Sequence, residues 1–251
     1  MEDLIIPWLK TLEQEHSIKF LHVSALGSRG YGFAGLESDY DLKGVYVSTP
    51  DSYITARQKR KETIVGDLRE DEYVTLVAVD ASLFLRRARE SHLLSLNTIQ
   101  ANNILETSPG ADKLAGFTFR SASALPMAHS YRAALYKIQQ MHVVDKSVLS
   151  IKRYLLAAHH ALTLRHLRRY PAEIPPLKIR SLMISMQQEG TLCDLIRALI
   201  DRRQNGDEIC FPVTEIDRLI RTEVEPSIEG FKAHHLVSFD ETDKLLRELV
   251  K

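Results

Sequence analysis

Two short apolar segments on either side of a polar stretch impose the strongest constraint on the fold of this chain. The first, residues 20–26, ends at Gly27-Ser28, and the second, residues 42–48, stops just before Pro50. Short apolar runs bounded by glycine or proline are typical of buried strands. The sequence therefore predicts two core strands with a polar, glycine-containing connection between them.

Two carboxylates stand at the start of the second predicted strand. Asp39 and Asp41 are two residues apart, so both side chains point to one face of an extended backbone. Neighbouring carboxylates repel each other, and a divalent cation is the usual charge that holds them together. Gly27-Ser28 offers a hydroxyl and approachable backbone N–H groups to a phosphate. A cation beside a phosphate indicates nucleotide chemistry, whereas an isolated Asp-x-Asp would also suit a solvated turn.

The Gly-Ser turn followed by Asp-x-Asp resembles the signature of the DNA polymerase β-like nucleotidyltransferase superfamily. The stretch Gly-Ser-Arg-Gly-Tyr-Gly-Phe-Ala from Gly27, with Ser-Asp-Tyr-Asp ending at Asp41, is similar to one branch of it. That branch comprises predicted bacterial and phage nucleotidyltransferases of an RNA repair pathway. A looser similarity continues through residues 131–137 and 151–165 and covers most of the chain.

The resemblance implies an α+β fold, in which a polymerase β-like nucleotidyltransferase domain is followed by an all-helical domain. We expect the catalytic domain, a mixed sheet with flanking helices, over residues 1–115. The helical domain is expected over residues 116–251, where it would close the cleft for nucleotide and acceptor. Hydrophobic patterning agrees, because strand-like runs occur only before residue 115 and helical periodicity dominates after it.

Local patterns predict the individual elements. Apolar residues at helical spacing indicate a helix before the first strand, and residues 63–65 and 73–79 are predicted as further strands. Gly66-Asp67 is expected to turn the chain between those two strands. Helices are predicted from residue 81 and over residues 93–106, 130–141, 147–170, 177–188, 192–203, 213–225 and 241–250.

The resemblance also implies a two-metal mechanism. Asp39 and Asp41 would bind Mg²⁺, or Mn²⁺ in its place, and a third carboxylate from an adjacent strand would complete the metal site. Asp80 is our candidate for that ligand, because it ends the strand predicted at residues 73–79 and precedes a helix. Its alternative role is a helix N-cap. Glu72, at the other end of the same strand, is the second candidate.

Five residues are expected to contact the nucleotide. Gly27 allows close backbone approach, and Ser28 reaches a phosphate through its hydroxyl. Arg29 would add a charge-assisted hydrogen bond to the triphosphate, unless it is an ordinary surface arginine. The resembling branch carries basic residues in its helical half, where Lys152 and His159 here share one predicted helix face. Histidine stands where that branch commonly has arginine, which weakens the expected contact at neutral pH.

Composition limits the classes of partner and the compartment. Lys plus Arg and Asp plus Glu number 33 each, so nucleic-acid binding would need a local basic patch such as residues 57–61. That run would otherwise be a solvated loop. Cys193 and Cys210 match neither a zinc site nor a disulfide framework. An acidic N-terminus and the lack of a long apolar run predict a cytoplasmic protein without a membrane span.

The function we expect is metal-dependent transfer of a nucleotide from an NTP to an acceptor hydroxyl, with release of pyrophosphate. ATP is the first candidate for the NTP, and the resemblance implies that an RNA end, such as a tRNA end under repair, is the acceptor. Two alternatives stay open. The neutral net charge slightly favours nucleotidylation of a protein or small-molecule hydroxyl. A catalytically silent sensor of nucleotide or RNA would explain an uncertain third carboxylate.

Overall fold

The protein has an α+β structure. A computed structural model describes residues 2–54, 61–69, 73–102, 104, 109–144, 146–187, 190–228, 230–231 and 237–251. Within these ranges the chain forms a four-stranded mixed sheet, a two-stranded sheet and eleven α-helices. The predicted fold class is thereby confirmed. None of the helices in these ranges is long and apolar enough to cross a membrane.

The described residues group into two compact units, and each is discontinuous in sequence. The sheet unit takes its residues from 1–27, 39–122 and 235–251, and the helical unit takes its residues from 28–38 and 123–234. The sequence-based division places one boundary at residue 115 instead. The assignment of catalysis to one domain and cleft closure to the other stays a prediction.

The sheet unit is built on four strands in the order β1-β2-β4-β3. β2 runs parallel to β4 and antiparallel to β1, while β3 pairs antiparallel with β4. All four lie where the apolar segments predict strands. Their bounds are β1 Ile18–Ala25, β2 Tyr40–Ser48, β3 Thr63–Arg69 and β4 Tyr73–Asp80.

The turn predicted at Gly66-Asp67 is wrong, because β3 continues through both residues. Gly66 is needed for packing: a Cβ at this position would lie 3.0 Å from Trp8 Cζ2. Trp8 belongs to α1 (Glu2–His16), the helix predicted before the first strand. A larger residue at position 66 would therefore push α1 away from the sheet.

The two faces of the sheet differ, because side chains alternate along each strand. One face packs on α1, and the buried core between them includes Ile5, Leu9, Val23, Leu42 and Leu76. The other face buries Val45 and Val79 in a second core. Three helices contribute to that second core: α3 (Ala81–Arg89), α5 (Pro109–Ser121) and α11 (Phe239–Leu249). Asp41, the second residue of β2, belongs to this second face, because it alternates with Leu42 along the strand.

A further helix, α4 (Leu93–Gln100), is fixed to β1 through one buried carbonyl. Thr98 O accepts a hydrogen bond from Ser24 Oγ at 2.8 Å and lies 3.0 Å from His22 Nε2. Burial lowers the pKa of His22, so its ring is neutral at pH 7. Because a carbonyl can only accept, Nε2 must carry the proton and donate it.

The helical unit is organised around α7 (Ile151–Arg169), most of whose side chains are buried. The other helices wholly within this unit are α6 (Ala124–His142), α8 (Ile179–Ser185), α9 (Thr191–Gln204) and α10 (Thr214–Val224). Two strands of two residues each, β5 (Leu149–Ser150) and β6 (Ile209–Cys210), pair antiparallel in the half predicted to be helical. Strands this short have no periodic pattern that a sequence could reveal.

Candidate functional site

The carboxylate of Asp41 lies directly against the backbone of Gly27. Leu26 N donates to Asp41 O at 2.8 Å, which continues the pairing of β1 and β2 to its end. Gly27 has a φ of +55°, and a Cβ built on it would lie 2.3 Å from Asp41 Oδ2. Both the backbone conformation and the missing side chain are therefore required for Asp41 to keep this position.

Asp39 and Asp41 lie at the start of β2. Asp39 directly precedes β2 and is exposed, while Asp41 is the second residue of β2 and is half-buried. The structure thus brings together two of the predicted site residues, Asp41 and Gly27, and Asp39 is close to them in sequence. Thr75, the register partner of Asp41 on β4, donates a long hydrogen bond of 3.4 Å from its Oγ1 to Asp41 Oδ1.

Thr75 is a site residue that sequence reasoning missed. Its position depends on which residue of β4 faces Asp41, and no local pattern reports that register. On the other side of β4, Asp67 of β3 is the partner of Thr75. Asp41, Thr75 and Asp67 thus form one row across three strands, with about 10 Å between the Cα atoms of the two aspartates.

Asp80 does not join this row. It is the partner of Tyr46 on β2, five residues beyond Asp41, which corresponds to about 16 Å along the strand. The expectation that Asp80 completes the metal site with Asp39 and Asp41 is corrected by this register. Glu72, the second candidate, lies outside the described residues.

The side chain of Asp80 has a structural role instead. It is fully buried, and its Oδ1 accepts hydrogen bonds from Ser82 N at 2.9 Å and from Ser82 Oγ at 2.6 Å. Its Oδ2 accepts from Tyr53 Oη at 2.7 Å. Of its two proposed roles, Asp80 therefore takes the N-cap of α3.

The carboxylate pair suits one hard cation. In the part of the chain that the structure describes, no three side chains of His, Cys, Asp or Glu converge as a metal cage. Mg²⁺ is commonly held by one or two carboxylates, with substrate phosphates and water as its remaining ligands. The carboxylates of Asp39 and Asp41 are therefore ligands of the type that a nucleotide-bound Mg²⁺ or Mn²⁺ takes, and the metal site itself stays a prediction. They do not by themselves supply the third carboxylate of a two-metal site.

Ser28 and Arg29 belong to the helical unit and lie in the short α2 (Gly27–Tyr31), which a loop over residues 32–38 follows. Ser28 is buried, and its carbonyl accepts from Phe33 N at 3.0 Å. Arg29 Nη2 donates to Ser38 O at 2.6 Å, and Ser38 Oγ accepts from Gly35 N at 2.9 Å. Arg29 thus holds this loop closed, and the phosphate contacts expected of Ser28 and Arg29 stay predictions.

His159 packs in the interior of the helical unit. It is fully buried, with Nε2 2.8 Å from Leu177 O and the ring of Tyr31 at a centroid distance of 4.7 Å. Burial lowers the pKa of His159 to about 4, so the ring is neutral at pH 7 and donates to Leu177 O. The prediction that His159 contacts the nucleotide is corrected, because the ring is fully buried. Tyr31 packs against it as an aromatic residue of the same core.

The remaining predicted residues are less informative. Lys152 is half-buried in the first turn of α7, and its contact with a nucleotide stays a prediction. Residues 57–60 of the basic run lie outside the described residues. Lys61, the one residue of the run that is described, is exposed.

Comparisons with known proteins show which family this chain resembles. The model of the RNA repair pathway DNA polymerase beta family matches residues 1–248. The uncharacterized protein YcgL of Bacillus subtilis (strain 168) is 25% identical over 259 residues, which cover 100% of this chain and 95% of YcgL. A crystal structure of a nucleotidyltransferase-like protein from Exiguobacterium sibiricum 255-15 has a TM-score of 0.32 and 13% identity, covering 85% of this chain and 73% of that protein.

Proposed function

This chain belongs to the RNA repair pathway DNA polymerase beta family, and we propose that it transfers a nucleotide from an NTP to the hydroxyl of an RNA end. ATP is the first candidate for the NTP, and a tRNA end under repair is the first candidate for the acceptor. The single observation that carries the proposal is the carboxylate pair at the start of β2, with Asp41 seated against Gly27.

Asp39 and Asp41 would hold Mg²⁺, or Mn²⁺, together with oxygens of the triphosphate. When bound, the cation neutralises charge on the phosphates and on the pyrophosphate that leaves. Gly27 provides the space that the Asp41 carboxylate occupies, and Thr75 restrains one of its oxygens. Ser28, the next residue in the chain, is our candidate for a phosphate contact through its hydroxyl.

The transfer itself exchanges one phosphorus–oxygen bond for another. The oxygen of the acceptor hydroxyl bonds to the α-phosphorus, the bond from that phosphorus to the pyrophosphate oxygen breaks, and the hydroxyl proton passes to water. A two-metal version of this reaction would need a further carboxylate. In the described ranges, Asp67 is the next carboxylate in the row of Asp41 and Thr75.

The test is to incubate the purified protein with Mg²⁺, total RNA and each NTP in turn, labelled at its α-phosphate. We expect labelled RNA with one NTP, and no label with the variants Asp39→Asn and Asp41→Asn. Asp51→Asn is the matched control, because Asp51 is an exposed carboxylate of the sheet unit outside this end of the sheet. Pyrophosphate release without labelled RNA would contradict the RNA acceptor and favour a protein or small-molecule hydroxyl.

A second candidate function is a catalytically silent sensor that binds nucleotide or RNA. The observation that favours it is Thr75, a neutral residue at the register position on β4 that faces Asp41. A sensor would bind Mg²⁺ and NTP with a measurable Kd but release no pyrophosphate with any acceptor. Turnover that disappears in Asp41→Asn would exclude it.

A further inference from the structure

A cavity of about 150 Å³ lies within the sheet unit, between the second face of the sheet and the helices α3 and α4. Five of the residues that line it are polar: Lys43, Thr63, Arg87, Ser95 and Thr98. The Thr98 hydroxyl already donates to Leu94 O at 2.7 Å, which leaves the other four as donors for a ligand. Apolar side chains, among them Val77 and Phe84, form the rest of its wall. The described residues lining this cavity include no carboxylate.

The cavity adjoins the carboxylate end of the sheet. Lys43 follows Asp41 by two residues on β2, so the two side chains stand on the same face, about 7 Å apart along the strand. On the neighbouring strand, Val77 is the partner of Lys43 just as Thr75 is the partner of Asp41. A molecule bound at Asp41 would therefore lie about 7 Å from Lys43, which lines the cavity.

The two cations of the cavity have no ion-pair partner in the described part of the chain. Among the residues that the structure describes, neither Lys43 nor Arg87 forms an ion pair or a side-chain hydrogen bond. Two other arginines of α3 are engaged: Arg86 with Glu62 at 2.8 Å and Arg89 with Val237 O at 2.7 Å. Burial lowers the pKa of the nearby His92, the charge of Arg87 lowers it further, and the charge of Glu90 raises it. Glu90 is exposed and is not paired with Arg87 in the described part of the chain, so the Arg87 guanidinium keeps its donors for a ligand.

The wall that faces these cations is held in place before any ligand binds. Ser95 and Thr98 are buried residues of α4, and the carbonyl of Thr98 is anchored to β1 by Ser24 and His22. A site whose donors are already positioned loses less entropy on binding than a flexible one. Its volume exceeds by several-fold what one water needs, which leaves room for a phosphate group with ordered water.

We propose that this cavity binds a backbone phosphate of the RNA acceptor, with Lys43 and Arg87 as charge-assisted donors. The inference rests on the proposed transferase function and deepens it, because an RNA hydroxyl presented beside Asp41 brings its adjoining phosphodiester with it. Arginine and lysine are the residues that bind phosphate most strongly, and the hydroxyls of Ser95 and Thr63 can add neutral hydrogen bonds. A serine or tyrosine hydroxyl on a protein acceptor would bring no such phosphate.

Binding of a single-stranded octaribonucleotide, labelled at its 5′ end, tests the site without NTP or metal. We expect the double variant Lys43→Gln/Arg87→Gln to raise the Kd at least tenfold at 100 mM salt. The slope of log K against log salt should also fall in magnitude by about 0.7, since the cavity neutralises one phosphate and each single-strand phosphate contact contributes about 0.7. Arg86→Gln is the matched control and should change the Kd less than twofold, because Arg86 is an exposed arginine already paired with Glu62.

A second measurement leaves the protein unchanged and guards against a misfolded variant. Replacing one phosphodiester at the 3′ end of the oligonucleotide by an uncharged methylphosphonate should weaken binding to the wild-type protein about tenfold. The same replacement at the 5′ end should have little effect. Equal affinity for the two modified oligonucleotides, or an unchanged salt slope in a folded double variant, would overturn the proposal.

The outcomes separate this site from the transferase activity. Pyrophosphate release and Mg·ATP binding are measured on the same proteins. If the wild type turns over and the double variant retains both its turnover on RNA and its RNA affinity, the phosphate site is refuted and the transferase stands. If the wild type shows no turnover but binds RNA through Lys43 and Arg87, the transferase is refuted and the cavity is an RNA contact.

Discussion

Replacing Gly27 by alanine should disable the candidate site while leaving the protein folded. A Cβ at position 27 would lie 2.3 Å from Asp41 Oδ2, and ordinary contacts of this kind begin at 3.4 Å. The carboxylate must therefore retreat by about 1 Å, and a displacement of that size at a reacting centre typically costs about 100-fold in rate. We expect kcat to fall by about two orders of magnitude.

The same substitution also carries a backbone cost that must be separated from the steric one. Gly27 has a φ of +55°, and an alanine in this region loses about 1–2 kcal/mol. For a chain of this size that corresponds to a Tm lowered by about 5 °C. Gly206→Ala is the matched control, because Gly206 has a φ of +99° with nothing within 4 Å of its Cβ position.

The assay compares the two variants by pyrophosphate release and thermal unfolding. Gly206→Ala should lose at least as much Tm through its backbone, because a φ of +99° lies outside the left-handed region that alanine tolerates, but only Gly27→Ala should lose turnover. If Gly27→Ala retains a kcat within threefold of that of Gly206→Ala, the contact between position 27 and the Asp41 carboxylate is not part of the active site. The reasoning from this contact would then be refuted.

Three further predictions concern the interior of the protein. Asp80→Ala should lower the free energy of unfolding by about 2 kcal/mol, because it removes the N-cap of α3 and the acceptor of the Tyr53 hydroxyl, yet it should leave the kcat of the folded protein near wild type; urea unfolding and pyrophosphate release check this. His159 has a pKa of about 4 when folded and an ordinary value of 6.5 when unfolded, so the unfolded chain binds more protons. Stability should therefore fall by about 3 kcal/mol as pH drops from 6.5 to 4, and His159→Gln, whose amide does not titrate, should lose less in urea titrations across that range. Thr75→Val should lower kcat three- to tenfold with an unchanged KM for NTP, because it removes the hydrogen bond to Asp41 without changing the shape of the residue; equal kinetics would contradict the orienting role.

The sequence predicts most of the elements because their periodicity is strong. Strands β1, β2 and β4 lie close to the predicted apolar runs, and α1 follows the spacing of its apolar residues. Gly27 and Asp41 are close in sequence, so the contact between them depends only on the pairing of β1 with β2. The sequence could therefore predict the part of the site that depends on residues close together in the chain.

Asp80 shows what local patterns cannot supply. β2 and β4 are parallel, so the start of one strand lies beside the start of the other. Asp41 begins β2 and Asp80 ends β4, which places them at opposite ends of the pair; an antiparallel pairing would have brought them together. The direction of pairing depends on the connection through β3, and no residue near Asp80 encodes it.

His159 shows a different limit. Its spacing from Lys152 correctly places both residues on one helix, but α7 is buried on nearly every side. A helix surrounded by protein has no polar face that would tell a ligand-binding histidine from a packed one. The contacts of His159 with the carbonyl of Leu177 and the ring of Tyr31 show that it is a packed histidine.

The position of α11 has a consequence for how the protein is made. This helix completes the second core of the sheet unit with Leu249, and Lys113 and Arg120 of α5 form ion pairs with its Glu248 and Glu241. On the ribosome, residues 39–122 emerge long before residues 239–249, and at typical synthesis rates the interval is about 10 s. Part of the apolar core on the second face of the sheet therefore stays uncovered until the helical unit and then α11 have been synthesised.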